Sequence, residues 1–516
     1  MILALVILPL IFLVISSFGA EGEVLDHLLR YEITHNLINT VLLASCTVFL
    51  TVVLGSSLAW MTTRYEFFGR KTFEKLLILP IAIPTYVFAF VYVGLLDFAG
   101  PLQTYLRSVF GNSSDLFNIR SFYGLVFFLS LSLYPYVYLM AKSAFSTLSQ
   151  DQYDCARSLG HSSRSVFWRL SFKLALPWIS GGALLVAMES FADFGAAAVA
   201  GVDVFTTSIY KSWFGFYSLP SASLLSLVLV LIALILLTLK NYNQKSQKNA
   251  FLTAPGERTL KSIKASKLKS GLYFTICLTV TFLGLIVPVV QLSSWSLSIL
   301  NQEILSDLLG FLFNTSLLAL LGSGVCVVGA LSLVLIVRVG RFHRQGFSSW
   351  VAPLGYAMPG SVLAVGVFLF LTQIDSTFGQ RLLAGSVVAL TIGYLIRFLA
   401  ISYSSIDSGQ KRIDQSLDEV ASSLGVVKLK QIWYVHLPLL KKSLIAGLLL
   451  TFIDICKEMP LTLMTRPYGW DTLAIKIYEF TSEGEWELAS PPALAIIIIG
   501  IIPVVFLERN TRTEKL

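Results

Sequence analysis

Charge is what this sequence has least of: 13% of its 516 residues are Asp, Glu, Lys or Arg, against 55% hydrophobic, and its mean hydropathy is +0.75. A soluble globular domain does not carry that ratio, because the polar side chains its surface needs are missing. Cysteine is also scarce. The five, at 46, 155, 277, 326 and 456, show no close spacing and fall mostly inside apolar runs, so neither a disulfide framework nor a zinc site is suggested and packing is their expected role. No G-x-x-x-x-G-K-[ST] occurs, so the chain does not cradle ATP phosphates in the P-loop manner. Nor do a nucleophile, a base and an orienting group recur at one membrane face, which leaves an enzyme reading without support.

Long apolar runs are abundant. Stretches of about 18 to 25 residues recur along the whole length, each enough to cross ~30 Å of hydrocarbon at 1.5 Å per residue. Twelve are expected, at 1–18, 37–61, 76–96, 122–141, 175–199, 220–239, 271–292, 310–337, 350–372, 382–404, 443–465 and 489–507. The fold class that follows is all-α and polytopic. The first run resembles a signal peptide, with Ser16 to Ala20 as a small-residue cleavage site, but it lacks a basic start. A retained anchor is expected, since removal would leave eleven spans.

Charge then orients the chain. With a cytoplasmic N-terminus, the inner loops and tail hold 29 of the 38 Lys and Arg, including Arg64, Arg70, Lys71, Lys75, the bases from Lys142 to Lys173, those from Arg338 to Arg344, and Lys240 to Lys269. This satisfies the positive-inside rule and places both termini in the cytoplasm. The net charge of +8 therefore reports topology, and no nucleic-acid partner is called for. The outer loops carry more acids than bases, and such a negative face would favour a cation or a basic docking partner, with ordinary solvated loop acids as the equal alternative.

The chain is also a duplication. Asn39 and Thr40 match Asn314 and Thr315, Pro84 matches Pro359, Gly160 matches Gly425, and Thr207 matches Thr472, with an offset drifting from 275 to 265. The expected division is a first half at 1–239, a basic cytoplasmic linker at 240–270 and a second half at 271–516, each half with six spans. Two parallel repeats give a two-fold axis along the membrane normal, with a path for substrate between them.

Two acidic pairs, Glu189/Asp193 and Asp454/Glu458, sit 265 residues apart inside the fifth and eleventh runs. Ionisable groups in a membrane are functional-site candidates. Four residues apart means one helix face, toward the outer half of the span. Four such carboxylates facing one another suit a hard cation, and Glu189, Asp193 and Glu458 are the candidate transient metal contacts. The rival reading is internal pairing with Lys457, Arg397 or Lys211, which would make the acids latches between spans. Tyr134, Tyr136 and Tyr138 are candidate phenolate ligands, with packing beside a kinked helix as the alternative. Prolines at 80, 84, 353 and 359 suggest broken helices, a feature shared by transporters of several kinds.

Between the fourth and fifth spans stand Asp154, Cys155, Ala156 and Gly160; between the tenth and eleventh stand Glu419, Val420, Ala421 and Gly425, followed by Leu437 and Pro438. Each reads as a short amphipathic helix ended by glycine and followed by a second helical run. These loops resemble the Glu-Ala-Ala loop of ABC importer permeases, although the first copy has Phe172 and Lys173 where Leu-Pro is usual. The segments from Met188 to Gly195 and Gly201 to Tyr210, with Lys457 to Leu463, Arg466, Pro467 and Thr472 to Ala474, are similar to signatures of bacterial ferric-iron ABC permeases. Where a polar or branched residue usually follows Asp-Phe-Gly, this chain has Ala196, Ala197 and Ala198.

That resemblance implies a type I importer permease fold in a bacterial inner membrane. It implies that Asp154, Ala156, Gly160, Glu419, Ala421 and Gly425 lie in coupling helices seated on two copies of a cytoplasmic ATPase, which would hold the ATP and Mg. It further implies a periplasmic ferric-binding protein at the outer mouth, ferric ion as cargo, import by alternating access, and no cofactor bound by this chain. Thiamine or another small cation in the same architecture is the near alternative. A secondary transporter with proton-relay acids is the alternative of a different class.

Overall fold

The computed structural model describes residues 2–20, 23–110, 118–252, 261–299, 301–339, 354–379, 382–414 and 416–513. The middle of the expected linker, at 253–260, and the expectations placed on Pro353, Arg341 and Arg344 lie outside the described residues.

Among the described residues nine helices are long and apolar enough to cross a membrane: Arg30–Arg64, Thr85–Val109, Phe122–Ser146, Ser163–Ala192, Leu219–Lys240, Lys267–Ile299, Gln302–Ile336, Gly360–Phe378 and Val387–Gln410. Two shorter apolar helices, Ala4–Ser17 and Trp486–Ile501, stand at the first and twelfth expected positions. Leu437–Lys457 fills the eleventh, where Lys441, Lys442, Asp454 and Lys457 dilute an otherwise apolar helix. All twelve expected places therefore hold a helix.

Four of the spans are interrupted, in matching places. The third and ninth begin later than their apolar runs do. Pro84 and Pro359 adopt extended ψ values of 150° and 147°, and the helices start after them, at Thr85 and Gly360. Proline has no N–H to donate, so it is tolerated at a helix start and not within. The fifth and eleventh stop short. Their helices end at Ala192 and Lys457, Asp193 and Glu458 are extended (ψ 126° and 117°), and six-residue helices follow at Gly195–Ala200 and Pro460–Thr465. In each pair one acid, Glu189 or Asp454, lies within the long helix and the other, Asp193 or Glu458, at the break, so the two do not share one continuous helix face.

The duplication is confirmed at the hydrogen-bond level. Asn39 donates its side-chain amide to the Asp203 carbonyl at 3.0 Å, and Asn314 donates to the Asp471 carbonyl at 3.1 Å. The Thr40 hydroxyl accepts from the Phe205 N–H at 3.1 Å, and the Thr315 hydroxyl accepts from the Leu473 N–H at 2.9 Å. By this register Thr472 corresponds to Val204 and not to Thr207, because the loop after Glu458 is longer than the loop after Asp193.

The halves interlock. Val6 and Leu13 of the first span and Leu225 and Leu229 of the sixth share an apolar cluster with Leu363, Tyr394 and Leu461 of the second half. Conversely, Cys277 and Leu292 of the seventh span and Ala493 and Ile497 of the twelfth pack with Phe88, Tyr134 and Val186 of the first. Lipid is as apolar as leucine, so such contacts are stabilised by close packing rather than by exclusion of water. Small residues permit it: a Cβ on Gly366 would stand 3.1 Å from the Pro9 carbonyl oxygen, and one on Gly500 would stand 3.0 Å from the Ala82 carbonyl oxygen.

Both ends of the linker carry regular structure. The sixth helix runs on to Leu252, and the chain returns as a strand, Ile263–Lys264, paired parallel to Tyr65–Glu66 at the end of the second span. The Lys261 N–H donates to Gln150 Oε1 at 3.0 Å, which ties this strand to the loop ahead of the fifth span.

Candidate functional site

Both glycine-ended loops have the same backbone. The first runs Gln150–Ser158, Ser163–Val166, a π turn at Phe167–Ser171, and the long helix from Phe172; the second runs Ser416–Ser423, Lys428–Gln431, Ile432–His436, and the long helix from Leu437. Gly160 and Gly425 are left-handed, with φ of +85° and +76°. Each closes its helix by the same pair of bonds. The Gly160 N–H reaches the Arg157 carbonyl and the His161 N–H reaches the Ala156 carbonyl; Gly425 and Val426 do the same to Ser422 and Ala421. This is the Schellman arrangement, which glycine adopts without strain. The lack of Leu-Pro at 172–173 has not changed the path of the chain.

Around these glycines apolar side chains face outward. Leu159 is 74% and Leu424 77% exposed, with Trp168, Val420, Trp433 and Tyr434 also exposed. Each loop is braced by an arginine at the end of an earlier span of the same half. The Arg64 guanidinium lies 4.2 Å over the Tyr153 ring, and Arg338 pairs with Asp418 at 2.7 Å. Asp418 also lies 3.1 Å from His436, whose side chain is almost wholly buried. Burial holds the His436 imidazole below its ordinary pKa, with Asp418 opposing.

The four acids line a single cavity of about 160 Å3 between the halves, together with Arg397, Lys457, Tyr86, Tyr136 and Tyr356. They divide into two kinds. Asp193 and Glu458 are fastened at the helix breaks. Asp193 Oδ1 accepts from the Ala196 and Ala197 N–H groups at 3.0 and 3.2 Å, and Thr85 donates to its other oxygen at 2.5 Å. Glu458 Oε1 accepts from the Leu461 N–H at 3.0 Å, and Arg397 Nε lies 2.9 Å from Oε2. Each carboxylate thus caps the short helix beyond its break.

The two fastenings differ in a way that their matched positions explain. Thr85 corresponds to Gly360, where a Cβ would stand 2.4 Å from Glu458 Oε1. The longer acid needs the space that the threonine occupies in the other half. Ser132 corresponds to Arg397: its hydroxyl donates to the Ile83 carbonyl at 3.3 Å, as Arg397 donates to the Met358 carbonyl at 2.9 Å. Only the second half adds a guanidinium to its acid.

Glu189 and Asp454 are less committed. Glu189 accepts from the Tyr356 hydroxyl at 3.0 Å, and Asp454 makes no hydrogen bond or ion pair among the described residues. Lys457 donates instead to the Ile81 carbonyl at 3.1 Å, and Lys211 pairs with Asp203 between the fifth and sixth spans. Among the described residues no three His, Cys, Asp or Glu side chains are grouped so as to hold a metal ion.

A model of the family described as "Binding-protein-dependent transport system inner membrane component" matches this chain twice, over residues 51–245 and 327–511. The chain belongs to that family. This permease, with two such regions in one polypeptide, is a membrane subunit of an ABC importer. It is 26% identical to the Fe(3+)-transport system permease protein FbpB 2 of Haemophilus influenzae over 97% of its own length and 95% of the relative's. It is 23% identical to the ferric transport system permease protein FbpB of Actinobacillus pleuropneumoniae, over 99% and 77% of the two chains. A part of the permease, 40% of its length, is 28% identical to 72% of the putative 2-aminoethylphosphonate transport system permease protein PhnV of Salmonella paratyphi A.

Of the permease's three neighbouring tyrosines, two are packing residues. The Tyr134 hydroxyl donates to the Leu77 carbonyl at 2.9 Å, and Tyr138 meets Thr62 at 3.3 Å, both fully buried. Tyr136 alone lines the cavity. Sequence reading had not singled out Thr85, Gly360, Ser132 or Tyr356. The first two do carry a signal, since each directly follows a proline that opens a helix.

Proposed function

We propose that this permease imports ferric iron, delivered by a periplasmic binding protein and driven by two copies of a cytoplasmic ATPase through alternating access. The observation that carries the reading is that Glu189, Asp193, Asp454 and Glu458, from both halves, line one cavity at the helix breaks. Carboxylate oxygens are hard donors and suit a small, highly charged cation. The two relatives named for iron transport, matched over nearly the whole chain, support that cargo. On this reading Glu189, Asp193 and Glu458 contact the ion in transit, the last two after exchanging their helix-capping bonds as the cavity opens. A site that let go too slowly would stall transport, so loose binding is required.

The energy source is assigned to the partner ATPase, with its ATP and Mg, because this chain has no P-loop. Its docking surfaces on the permease are the loops carrying Asp154, Ala156 and Gly160, and Glu419, Ala421 and Gly425. Both loops and both termini face the cytoplasm on the charge asymmetry given above. The deciding experiment uses proteoliposomes holding the permease and ATPase, with iron-loaded binding protein outside and ATP inside. Radioactive iron should accumulate in an ATP-dependent manner, and neutralising all four acids should abolish it. Accumulation of thiamine instead would reassign the cargo. Uptake driven by a proton gradient without ATPase would replace the mechanism with a secondary transporter.

A further inference from the structure

We propose that the two cavity tyrosines, Tyr136 and Tyr356, join Glu189 and Asp454 as the transient ferric site. The proposal rests on the ferric reading above and names its ligands. Asp193 and Glu458 are held by backbone N–H groups, Thr85 and Arg397, which leaves two carboxylates facing the cavity with uncommitted capacity. Two are too few for a highly charged ion. Glu189, Asp454, Tyr136 and Tyr356 all line the one cavity, and the Tyr356 hydroxyl already reaches Glu189 at 3.0 Å. Phenolate is a hard oxygen donor of the kind a ferric ion prefers.

A separate observation also points to a ligand there. Tyr86 lines the same cavity and is 6% exposed, yet its hydroxyl has no hydrogen-bond partner among the described residues. Buried hydroxyls are rarely left so. Entry of the ion exchanges ligands without electron transfer. At each phenol a bond from the ion to a chelator oxygen breaks, a bond to the tyrosine oxygen forms, and the phenolic proton leaves on the released chelator oxygen, which frees the Glu189 oxygen that accepts from Tyr356 at 3.0 Å to bind the ion. Iron stays ferric throughout.

The test uses the full transporter, permease with ATPase, titrated with ferric nitrilotriacetate. The expected result is a visible phenolate-to-iron charge-transfer band. It should fall by at least half in Tyr136→Phe and in Tyr356→Phe and vanish in the double variant, with iron binding weakened about tenfold or more. Phenylalanine keeps the ring packing, and an unchanged thermal midpoint checks the fold. Iron uptake by the native transporter with no such band overturns the phenolate site while leaving the cargo standing. So does full uptake by the double variant. Absence of any iron uptake by the native transporter overturns the ferric reading, and this site with it.

Discussion

Replacing Gly360 with alanine tests whether the two helix breaks are fastened by different fits of one design. A Cβ at this position stands 2.4 Å from Glu458 Oε1, 2.9 Å from Pro460 Cγ and 3.1 Å from the Leu461 nitrogen. The first contact is impossible without movement, and the carboxylate cannot simply swing away, because Arg397 and the Leu461 N–H hold it on opposite oxygens. Gly360 is at the start of a helix and its φ is not left-handed, so alanine meets no backbone penalty and gains up to about 1 kcal/mol in helix propensity. Overpacking a fitted site costs about 1–3 kcal/mol. A net loss of stability in Gly360→Ala therefore isolates the clash from any backbone effect. Shortening the acid withdraws the carboxylate by about one C–C bond, ~1.5 Å, so adding Glu458→Asp should relieve most of it. The assay is a double-mutant cycle on the thermal midpoint of purified permease, read for coupling of at least about 1 kcal/mol in the relieving direction. Additive losses, or a Gly360→Ala variant as stable as the parent, would refute the account of why one half carries Thr-Asp and the other Gly-Glu.

The remaining expectations test other contacts. Arg397→Met strands a buried carboxylate and should cost about 3–5 kcal/mol, most of it recovered in Arg397→Met/Glu458→Gln; unfolding midpoints that show no recovery would mean that the pair is incidental. Thr40→Val and Thr315→Val each leave a buried N–H, of Phe205 or Leu473, without its acceptor, at about 1–3 kcal/mol, and a large difference between the two would deny the shared register. Gly160→Val and Gly425→Val place a branched side chain at positive φ, costing about 1–2 kcal/mol, so capture of the ATPase by the variant permease should fall even though nothing lies within 4 Å of either Cβ. His436 is held below its ordinary 6.5, so above 6.5 it is neutral whether the loop is closed or open. As pH falls through 6.5 the opened loop takes up a proton first, and the closed loop loses stability. Hydrogen exchange at residues 416–436 should quicken from pH 7.5 to 5.5 beyond the intrinsic rate change, and His436→Gln should remove that excess.

Much of the architecture is legible in the residues. A 265-residue offset places Gly160 on Gly425 and Asp193 on Glu458, and the structure repeats the turns and breaks at those residues. Asn39 and Asn314, picked out only as a matched pair, prove to make the same bond to a loop carbonyl. The helix breaks were harder to read. Periodicity carries an apolar run straight through Asp193 and Glu458, while the local signals, Gly195 and Pro460 two residues on, are weak on their own. Arg397 was visible as a costly charge inside a span, but a sequence does not say which of several acids it meets. Cross-half packing left no trace at all: the first span is apolar with no charged residue along Ile2–Ser17, so nothing in it favours one partner over another.

The contrast between Ser132 and Arg397 depends on both halves being one polypeptide. A permease assembled from two identical chains must repeat every substitution on both sides of its axis. Arginine there would bring two guanidinium groups to a space of about 160 Å3, and serine would leave neither acid with a cation. Joining the copies frees each side to mutate alone. One wall of the cavity then keeps a fixed counter-charge that the other lacks, so the cavity is lopsided even though the scaffold around it is not.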